Sequence, residues 1–595
     1  MIGRLLSSIL PDRHSLVRAG VGGMLAAVIL GAGPLAVAQE LTEQNVYREI
    51  GYVPMKDGVR LAYVVWRPKK DGKYPTLVSY SPYASDGTTF NAARPYLEGG
   101  YAYVGANIRG TSCSEGTYGL WNANEGPDGA QLIEWAGAQP WSTGSVGMVG
   151  NSYPGHTQIM TAALHPPHLK AIAASGLTAS SYRDIWMVGG MFNVGMLGWW
   201  TFDAQPALAR GAAEDRLKWG DDRCEEIRLK QKPNPGYYEA MQHPLLDDWW
   251  KVRDLETIIG QVAVPTLILH GWQDQETASS GPQQLFKQLK VANKKMIFQS
   301  GGHGVAGRDI DIAQAIRWMD HWLKGENNGI DKEPPVTIWW EVKTENNKSS
   351  PNWATTYSAW PVPEQQRTTL YMTADGKLSR DKPGASADNG LRGYLYPSGT
   401  ELVGNNEQFA LKSRPVGMLV YKTEPMMEDM MILGLPQLTF FASSEQKDTD
   451  FMVTLHDIDA EGNTLFLQRG LLRASLRAVD QAKSSPDQII QSYAKAEELT
   501  PGKIYEFKLS MYALGHVVRQ GHRLELSVLA PSAMWQPDWG PLPLALPSYN
   551  KLYHSAQYPS SLTLPVVPRA KAQAPPPPCG SLQFQPCRFA PKQTQ

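Results

Sequence analysis

Between Val46 and about Ser175, short apolar runs alternate with stretches whose apolar residues fall at helical spacing. Leu61–Trp66, Pro75–Tyr80 and Tyr101–Ala106 predict strands, and Asp128–Ala138 predicts a helix. The run Val146–Val149 leads through a turn into a helix-like segment, His156–Leu164, and then a strand, Leu169–Ala174. Strands alternating with helices in this way imply a largely parallel sheet covered on both faces. From about 178 to 251 the strand rhythm stops. Met, Trp and Phe cluster in Trp186–Phe202 and charged segments follow, which reads as a helical insertion over the sheet. The sheet pattern then resumes with Val264–His270, Gly281–Leu289, Lys295–Gln299 and Ile310–Leu323.

A polar linker, Gly325–Ile330, ends this region. Beyond Pro334-Pro335 come short β-rich runs separated by Gly, Pro and Asp turns, among them Val336–Val342, Leu438–Phe441, Phe451–His456, Ile504–Leu509 and Arg523–Val528. Such a series predicts a sandwich or jelly roll. The final stretch is rich in Ala, Pro and Gln, includes Pro575–Pro578, and is expected to be disordered or extended. The organisation expected is a leader over 1–38, an α/β core over 39–177 and 252–330 interrupted by a helical cap at 178–251, a β domain over 334–567 and a tail over 568–595.

Composition narrows this little. The 595 residues are 42% hydrophobic and 19% charged, ordinary for a globular chain. A net charge of −1 gives no field that would draw nucleic acid or an acidic membrane. Arg4, Arg13 and Arg18, the uncharged Ala19–Leu35 and the small-x-small site Ala36-Val37-Ala38 read as a cleaved export signal, with no adjacent arginine pair. The mature chain is therefore expected in the periplasm or outside the cell, without stable membrane association. The 4 cysteines have no zinc-site spacing. Cys579 and Cys587 bracket a short loop that a disulfide could close.

The chemistry centres on Gly150-Asn151-Ser152-Tyr153-Pro154-Gly155, a serine between a predicted strand and a predicted helix. On such an elbow the hydroxyl stands clear of the backbone at a helix N-terminus. The usual pattern has glycine two residues after the serine, whereas here Pro154 stands there and glycine follows at 155. A serine nucleophile needs a base and an orienting acid, arriving at strand ends in the order Ser, Asp, His. After the strand ending at His270 come Asp274 and, as a second acid, Glu276; after the strand ending near Gln299, Gly301-Gly302-His303-Gly304 places His303 between glycines. The Tyr153 N–H is the expected first oxyanion donor. The loop holding Tyr83 offers either a phenolic second donor or a packed tyrosine.

Arg109-Gly110 with Ser114-Glu115-Gly116, Asp128-Gly129, Glu134-Trp135, Gln139-Pro140-Trp141, the serine hexapeptide, Gly271-Trp272-x-Asp274, Asp448–Phe451 and Gly521–Leu524 occur in order along the chain. Together they resemble the cocaine esterase and X-Pro dipeptidyl-peptidase family, which includes α-amino-acid ester hydrolases. The resemblance spans Val46 to about Val567. It implies an α/β-hydrolase core with a helical cap, a C-terminal β jelly-roll domain and Tyr83 as an oxyanion donor. Two positions depart from the pattern. Asn107 replaces an acid, and Thr277 follows Glu276 where an α-amino-ester hydrolase would carry a second carboxylate.

The expected function is a serine hydrolase that cleaves esters or amides of small acyl substrates through an acyl-enzyme, with Ser152, Asp274 and His303 catalytic. No metal or organic cofactor is expected. Trp186, Met187, Phe192, Trp272 and Glu276 are the expected pocket residues. An X-Pro dipeptidyl-peptidase, or an α-amino-acid ester hydrolase or acylase, is the alternative within enzymes; a silent secreted binding protein is the alternative outside them. The β domain is open to sugar binding, to completing the pocket or to a homo-oligomer interface.

Overall fold

The computed structural model describes residues 41–590 apart from 84–87, 233, 275, 305–307, 347, 397–417, 532–545 and 583. The expected leader, 1–38, lies outside the described residues. β1 (Val46–Pro54), β2 (Arg60–Pro68), β3 (Tyr74–Ser81), β4 (Ala102–Asn107), β5 (Ser142–Asn151) and β6 (Leu169–Ser175) alternate with α1 (Phe90–Glu98), α2 (Glu125–Gly137) and α3 (Tyr153–Ala162). After β6 the chain leaves the sheet. A small hairpin, β7 (Met187–Val188) with β8 (Met191–Phe192), is followed by α4 (Val194–Trp199), α5 (Gln205–Lys218), α6 (Asp222–Lys230), α7 (Gly236–Gln242) and α8 (Asp248–Lys251). This is the predicted helical insertion, with the hairpin as an addition. The chain returns through β9 (Thr266–Gly271), α9 (Ser280–Gln288), β10 (Lys294–Gln299) and α10 (Arg308–Lys324).

β11 (Val336–Trp340) and β14 (Trp353–Tyr357) then flank a hairpin, β12 (Lys343–Glu345) with β13 (Lys348–Ser350). The strand over Val336–Val342, expected to open the β domain, belongs to the first sheet instead. β11 pairs parallel with β10, Met296 opposite Val336, and β14 closes that edge antiparallel. Alternating apolar residues suit either sheet; the short path from α10 back to the free edge of β10 decides between them.

The sheet order is β1-β2-β4-β3-β5-β6-β9-β10-β11-β14, parallel from β4 through β11 and antiparallel at both ends. β3, β4, β6 and β9 are buried over most of their length, as a doubly covered sheet requires. A Cβ on Gly147 of β5 would come 2.6 Å from Met319 of α10, so this glycine lets the helix close on the strand.

Beyond Gln366 two antiparallel sheets face each other across a second core that includes Phe440, Phe451, Phe507, Leu526 and Leu562, the sandwich expected of a jelly roll. The tail is not loose over the residues described. Ala570, Ala572 and Ala574 pack on the first core, Cys579 and Cys587 are bonded, and Cys587–Arg588 pairs with Thr464–Leu465. A second disulfide, Cys113–Cys224, spans 111 residues and joins the loop after β4 to α6 of the cap.

Candidate active site

The turn between β5 and α3 holds Ser152 at φ 71°, ψ −126°. A serine enters the left-handed region only where its surroundings enforce it, and here they do so on several sides. The Ser152 N–H donates to the Ser175 carbonyl (2.9 Å), and the Ser152 carbonyl accepts from the Gly155 N–H (2.8 Å). A Cβ on Gly155 would lie 2.4 Å from the Ser175 oxygen, and one on Gly150 would lie 2.6 Å from Pro154 Cβ. The glycine at 155 is thus the residue that passes against β6. Pro154 sits in the first turn of α3, where no amide hydrogen is required. Tyr153 opens the helix, so its N–H is one of the amides that α3 itself leaves without an acceptor.

Asp274 and His303 come together from the ends of β9 and β10. His303 Nδ1 lies 2.8 Å from Asp274 Oδ2. With Nδ1–H donating to a carboxylate, Nε2 is the basic nitrogen. Asp274 is fully engaged. Oδ2 also accepts from Thr277 Oγ1 (2.7 Å), and Oδ1 accepts from the Thr277 N–H (2.8 Å) and the Glu276 N–H (3.0 Å). Burial raises its pKa, but the facing His303 and these donors outweigh that and hold the carboxyl below its ordinary range. Glu276 Oε2 stands 3.4 Å from His303 Nε2. A Cβ on Gly176 would lie 3.0 Å from the Ser152 nitrogen and 3.1 Å from His303 Cε1, so the imidazole and the elbow both close on that glycine.

Tyr83, in the loop just after β3, turns its hydroxyl toward the cap, where it accepts a bond from Trp200 Nε1 (2.8 Å). Its ring meets Tyr153 edge-on at 6.3 Å. Asn107, the residue that departs from the family's acid, donates from Nδ2 to the Tyr83 carbonyl (3.2 Å) and the Ser81 carbonyl (3.4 Å). An ionised aspartate has no hydrogen to give either oxygen, so the amide suits this backbone.

Beneath the elbow is a polar network that sequence reasoning did not find. Tyr153 O–H donates to Glu125 Oε1 (2.7 Å) and accepts from the Trp121 N–H (2.9 Å). The Trp121 ring stacks on His156 at 4.3 Å. His156 Nε2 accepts from the Thr178 N–H, leaving Nδ1–H to donate to the Ser152 carbonyl at 3.2 Å. Burial lowers the His156 pKa to about 4 and keeps the ring neutral. Burial raises that of Glu125 to about 8, against the hydrogen bond from Tyr153. The sequence signal for these roles is weak: Glu125 lies three residues before Asp128, and Trp121 in a loop without periodicity.

Of the expected pocket residues, Trp186, Met187 and Phe192 are buried in the cap, Trp186 against Trp250 and Phe192 against Tyr237. Trp272 is 1% exposed and stacks on Phe298 at 4.3 Å, with Gly515 of the β domain against its indole nitrogen. It packs the seam between the two sheet systems. Glu276 keeps partial exposure beside His303.

Residues 57–305 match the model for the X-Pro dipeptidyl-peptidase (S15 family), and residues 328–563 match that for the X-Pro dipeptidyl-peptidase C-terminal non-catalytic domain. A cocaine esterase of Rhodococcus sp. (strain MB1 Bresler) is 26% identical over 591 residues, covering 87% of this chain and 98% of that protein. An Xaa-Pro dipeptidyl-peptidase of Ligilactobacillus salivarius is 21% identical over 491 residues, covering 73% of this chain and 59% of that one. Among solved structures, a CocE/NonD family hydrolase from Staphylococcus aureus superposes with a TM-score of 0.72 at 24% identity, over 88% of this chain and 94% of that chain. An α-amino acid ester hydrolase gives 0.69 at 20% identity, over 90% and 99%. These superpositions establish the fold: an α/β hydrolase followed by a β domain.

Proposed function

Because this chain belongs to the X-Pro dipeptidyl-peptidase S15 family and is a serine hydrolase of ester or amide bonds, we propose that Ser152, His303 and Asp274 carry its reaction. The observation that carries this reading is the 2.8 Å bond from His303 to a fully buried Asp274 beside a serine held at φ 71°. Ser152 Oγ attacks the acyl carbon while its proton passes to His303 Nε2. The imidazolium is stabilised by Asp274, whose four accepted bonds keep it ionised and fixed. The Tyr153 N–H and the Tyr83 O–H receive the oxyanion. His303 then protonates the leaving group, giving the acyl-enzyme. A water deprotonated by Nε2 attacks the acyl carbon, the acid leaves, and Ser152 regains its proton. Ser152→Ala should lower turnover of p-nitrophenyl esters by at least about a thousandfold, with the circular dichroism spectrum unchanged; turnover within tenfold of the parent would reject the assignment.

The substrate class proposed is an ester with a small, uncharged acyl group. A single carboxylate such as Glu276 attracts an α-ammonium group less than a cluster of carboxylates does. The next side chain, Thr277, is a hydroxyl committed to Asp274. A second reading rests on Glu276 itself, a partly exposed carboxylate at His303, which a substrate's free amino terminus would meet. It is the reading the Xaa-Pro dipeptidyl-peptidase relatives favour. Comparing kcat/KM for butyryl, alanyl and Ala-Pro p-nitrophenyl or p-nitroanilide substrates separates the two: a preference for the ammonium-bearing pair, abolished in Glu276→Gln, would select the second. We also infer export to an oxidising compartment, supported by the leader-like 1–38 and by two disulfides, Cys113–Cys224 and Cys579–Cys587. Fractionation of the native host would test this.

A further inference from the structure

His303 stands on a loop whose backbone has little stiffness of its own. Gly301 and Gly304 take φ 146° and 63°, and Gly302 lies between them. Glycines lose more conformational freedom on ordering than any other residue, so such a loop must be held from outside. One side is held by Gln273: its N–H donates to the Gly301 carbonyl (2.9 Å) and its side-chain oxygen accepts from the Gly301 N–H (3.1 Å).

The other side is covered by the C-terminal tail. A Cβ on Gly302 would lie 2.4 Å from Phe584 Cγ and 2.6 Å from both Cδ atoms, so the phenyl ring fills the space directly over that glycine. Phe584 is fixed in turn. Its φ is 59°, a conformation a phenylalanine takes only under constraint. Cys579–Cys587 closes the chain around it. The Phe466 N–H donates to the Pro586 carbonyl (3.0 Å), and Cys587 and Arg588 pair with Leu465 and Thr464. Before the disulfide, Arg519 Nη1 donates to the Ala574 carbonyl (2.8 Å) and Asn352 Nδ2 to the Pro575 carbonyl (3.0 Å). This segment lies beyond both matched family regions, which end at residues 305 and 563.

We propose that the disulfide-closed tail is a positioning element for the catalytic base: Phe584, clamped between the Cys579–Cys587 bond and the strand Thr464–Arg473, holds Gly302 and thereby fixes the orientation of His303. The inference rests on the proposed role of His303. Misplacing a catalytic group by about 1 Å is enough to cost tenfold or more in rate, whereas substrate binding is untouched.

The test uses the full-length oxidised protein, with p-nitrophenyl butyrate turnover and the rate of fluorophosphonate labelling at Ser152 as readouts across pH 5–9. Phe584→Ala should lower kcat and the labelling rate by about tenfold, alter the shape of the pH profile and leave KM within about twofold. Phe584→Leu should restore most of the loss, and the double variant Cys579→Ser/Cys587→Ser should reproduce it. Two cysteine substitutions are used rather than a reductant, which would also reach Cys113–Cys224. Wild-type protein that fails to label at Ser152 would overturn the hydrolase reading and this inference with it. Normal wild-type labelling with unchanged kcat, labelling and pH profile in both Phe584→Ala and the double serine variant would overturn this inference alone.

Discussion

In the proposed mechanism Tyr83 is a donor whose quality depends on a second residue. A phenol that accepts an indole N–H is polarised toward giving its own hydrogen, and Trp200 supplies that bond at 2.8 Å. Tyr83→Phe should therefore lower kcat by about 10²–10³ with KM little changed, the loss expected for one oxyanion donor. Trp200→Phe should lower it by about tenfold, because the donor survives without its orienting bond. Steady-state kinetics on one activated ester measures both. The place of Tyr83 after an early strand left it open as a donor or a packed tyrosine, only the family resemblance favoured the donor, and Trp200 was not legible at all. Tryptophans are frequent in the cap, and nothing in their spacing says which one turns toward β3. Glu125 makes a separate, pH-dependent statement. It holds its proton up to about 8 when folded, against an ordinary value of 4.5, because it is buried. Its contribution is fully present below the unfolded value and is lost as pH rises through the folded one. Glu125→Gln, a neutral isostere at every pH, should therefore gain thermal stability relative to the parent between pH 5 and pH 8. A melting-temperature difference that stays constant over that range would contradict the buried, protonated carboxyl.

The elements that place the proposed triad could be read from the chain because each follows from a local rule. An apolar run followed by glycines and one polar residue marks a strand end in a parallel sheet, and Ser152, Asp274 and His303 all lie at such ends, after β5, β9 and β10. Elements defined by distant partners were not legible. The pattern of β11 is that of any half-buried strand, and its assignment depends on β10 presenting a free edge. Cys113 and Cys224 have no local signature either; only the folding of the cap over the loop after β4 brings their Cα atoms to 4.8 Å. That bond closes a long loop and ties the insertion to the core, so removing it should release much denatured-state entropy. Cys113→Ser/Cys224→Ser should lose about 2–5 kcal/mol in urea unfolding, with the cap exposed to limited proteolysis first. A midpoint unchanged from the parent would show that Arg216, buried between Asp221, the Tyr63 carbonyl and the Gly51 carbonyl, anchors the cap by itself.

At the scale of the whole molecule, the acid loop and the base loop meet on the β domain. Gln273 binds Gly301 through its oxygen and donates from Nε2 to the Leu467 carbonyl at 3.3 Å. One residue further along that strand, Gln468 Nε2 donates to the carbonyls of Trp272 (2.7 Å) and Ala513 (2.9 Å). All these groups are buried, so each lost bond leaves a desolvated partner, at about 1–3 kcal/mol. The strand Thr464–Arg473 is thus hydrogen-bonded to the residues on either side of the acid loop's entry, and it carries the tail that covers the base loop. Given the proposed roles of Asp274 and His303, these bonds make the β domain, outside the chemistry, the part that keeps their two loops in mutual register. Two substitutions distinguish this from simple packing. Gln468→Leu removes its bonds to Trp272, Ala513 and the Arg469 N–H, none of which reaches Gly301, and should lower stability while kcat stays within about threefold. Gln273→Ala removes the link between Gly301 and the strand, and should lower stability by a similar amount but reduce kcat by about tenfold or more. If the two variants lose kcat equally, the β domain acts through bulk stability. If Gln273→Ala loses far more, the bridge from Leu467 through Gln273 to Gly301 is what aligns His303 with Asp274.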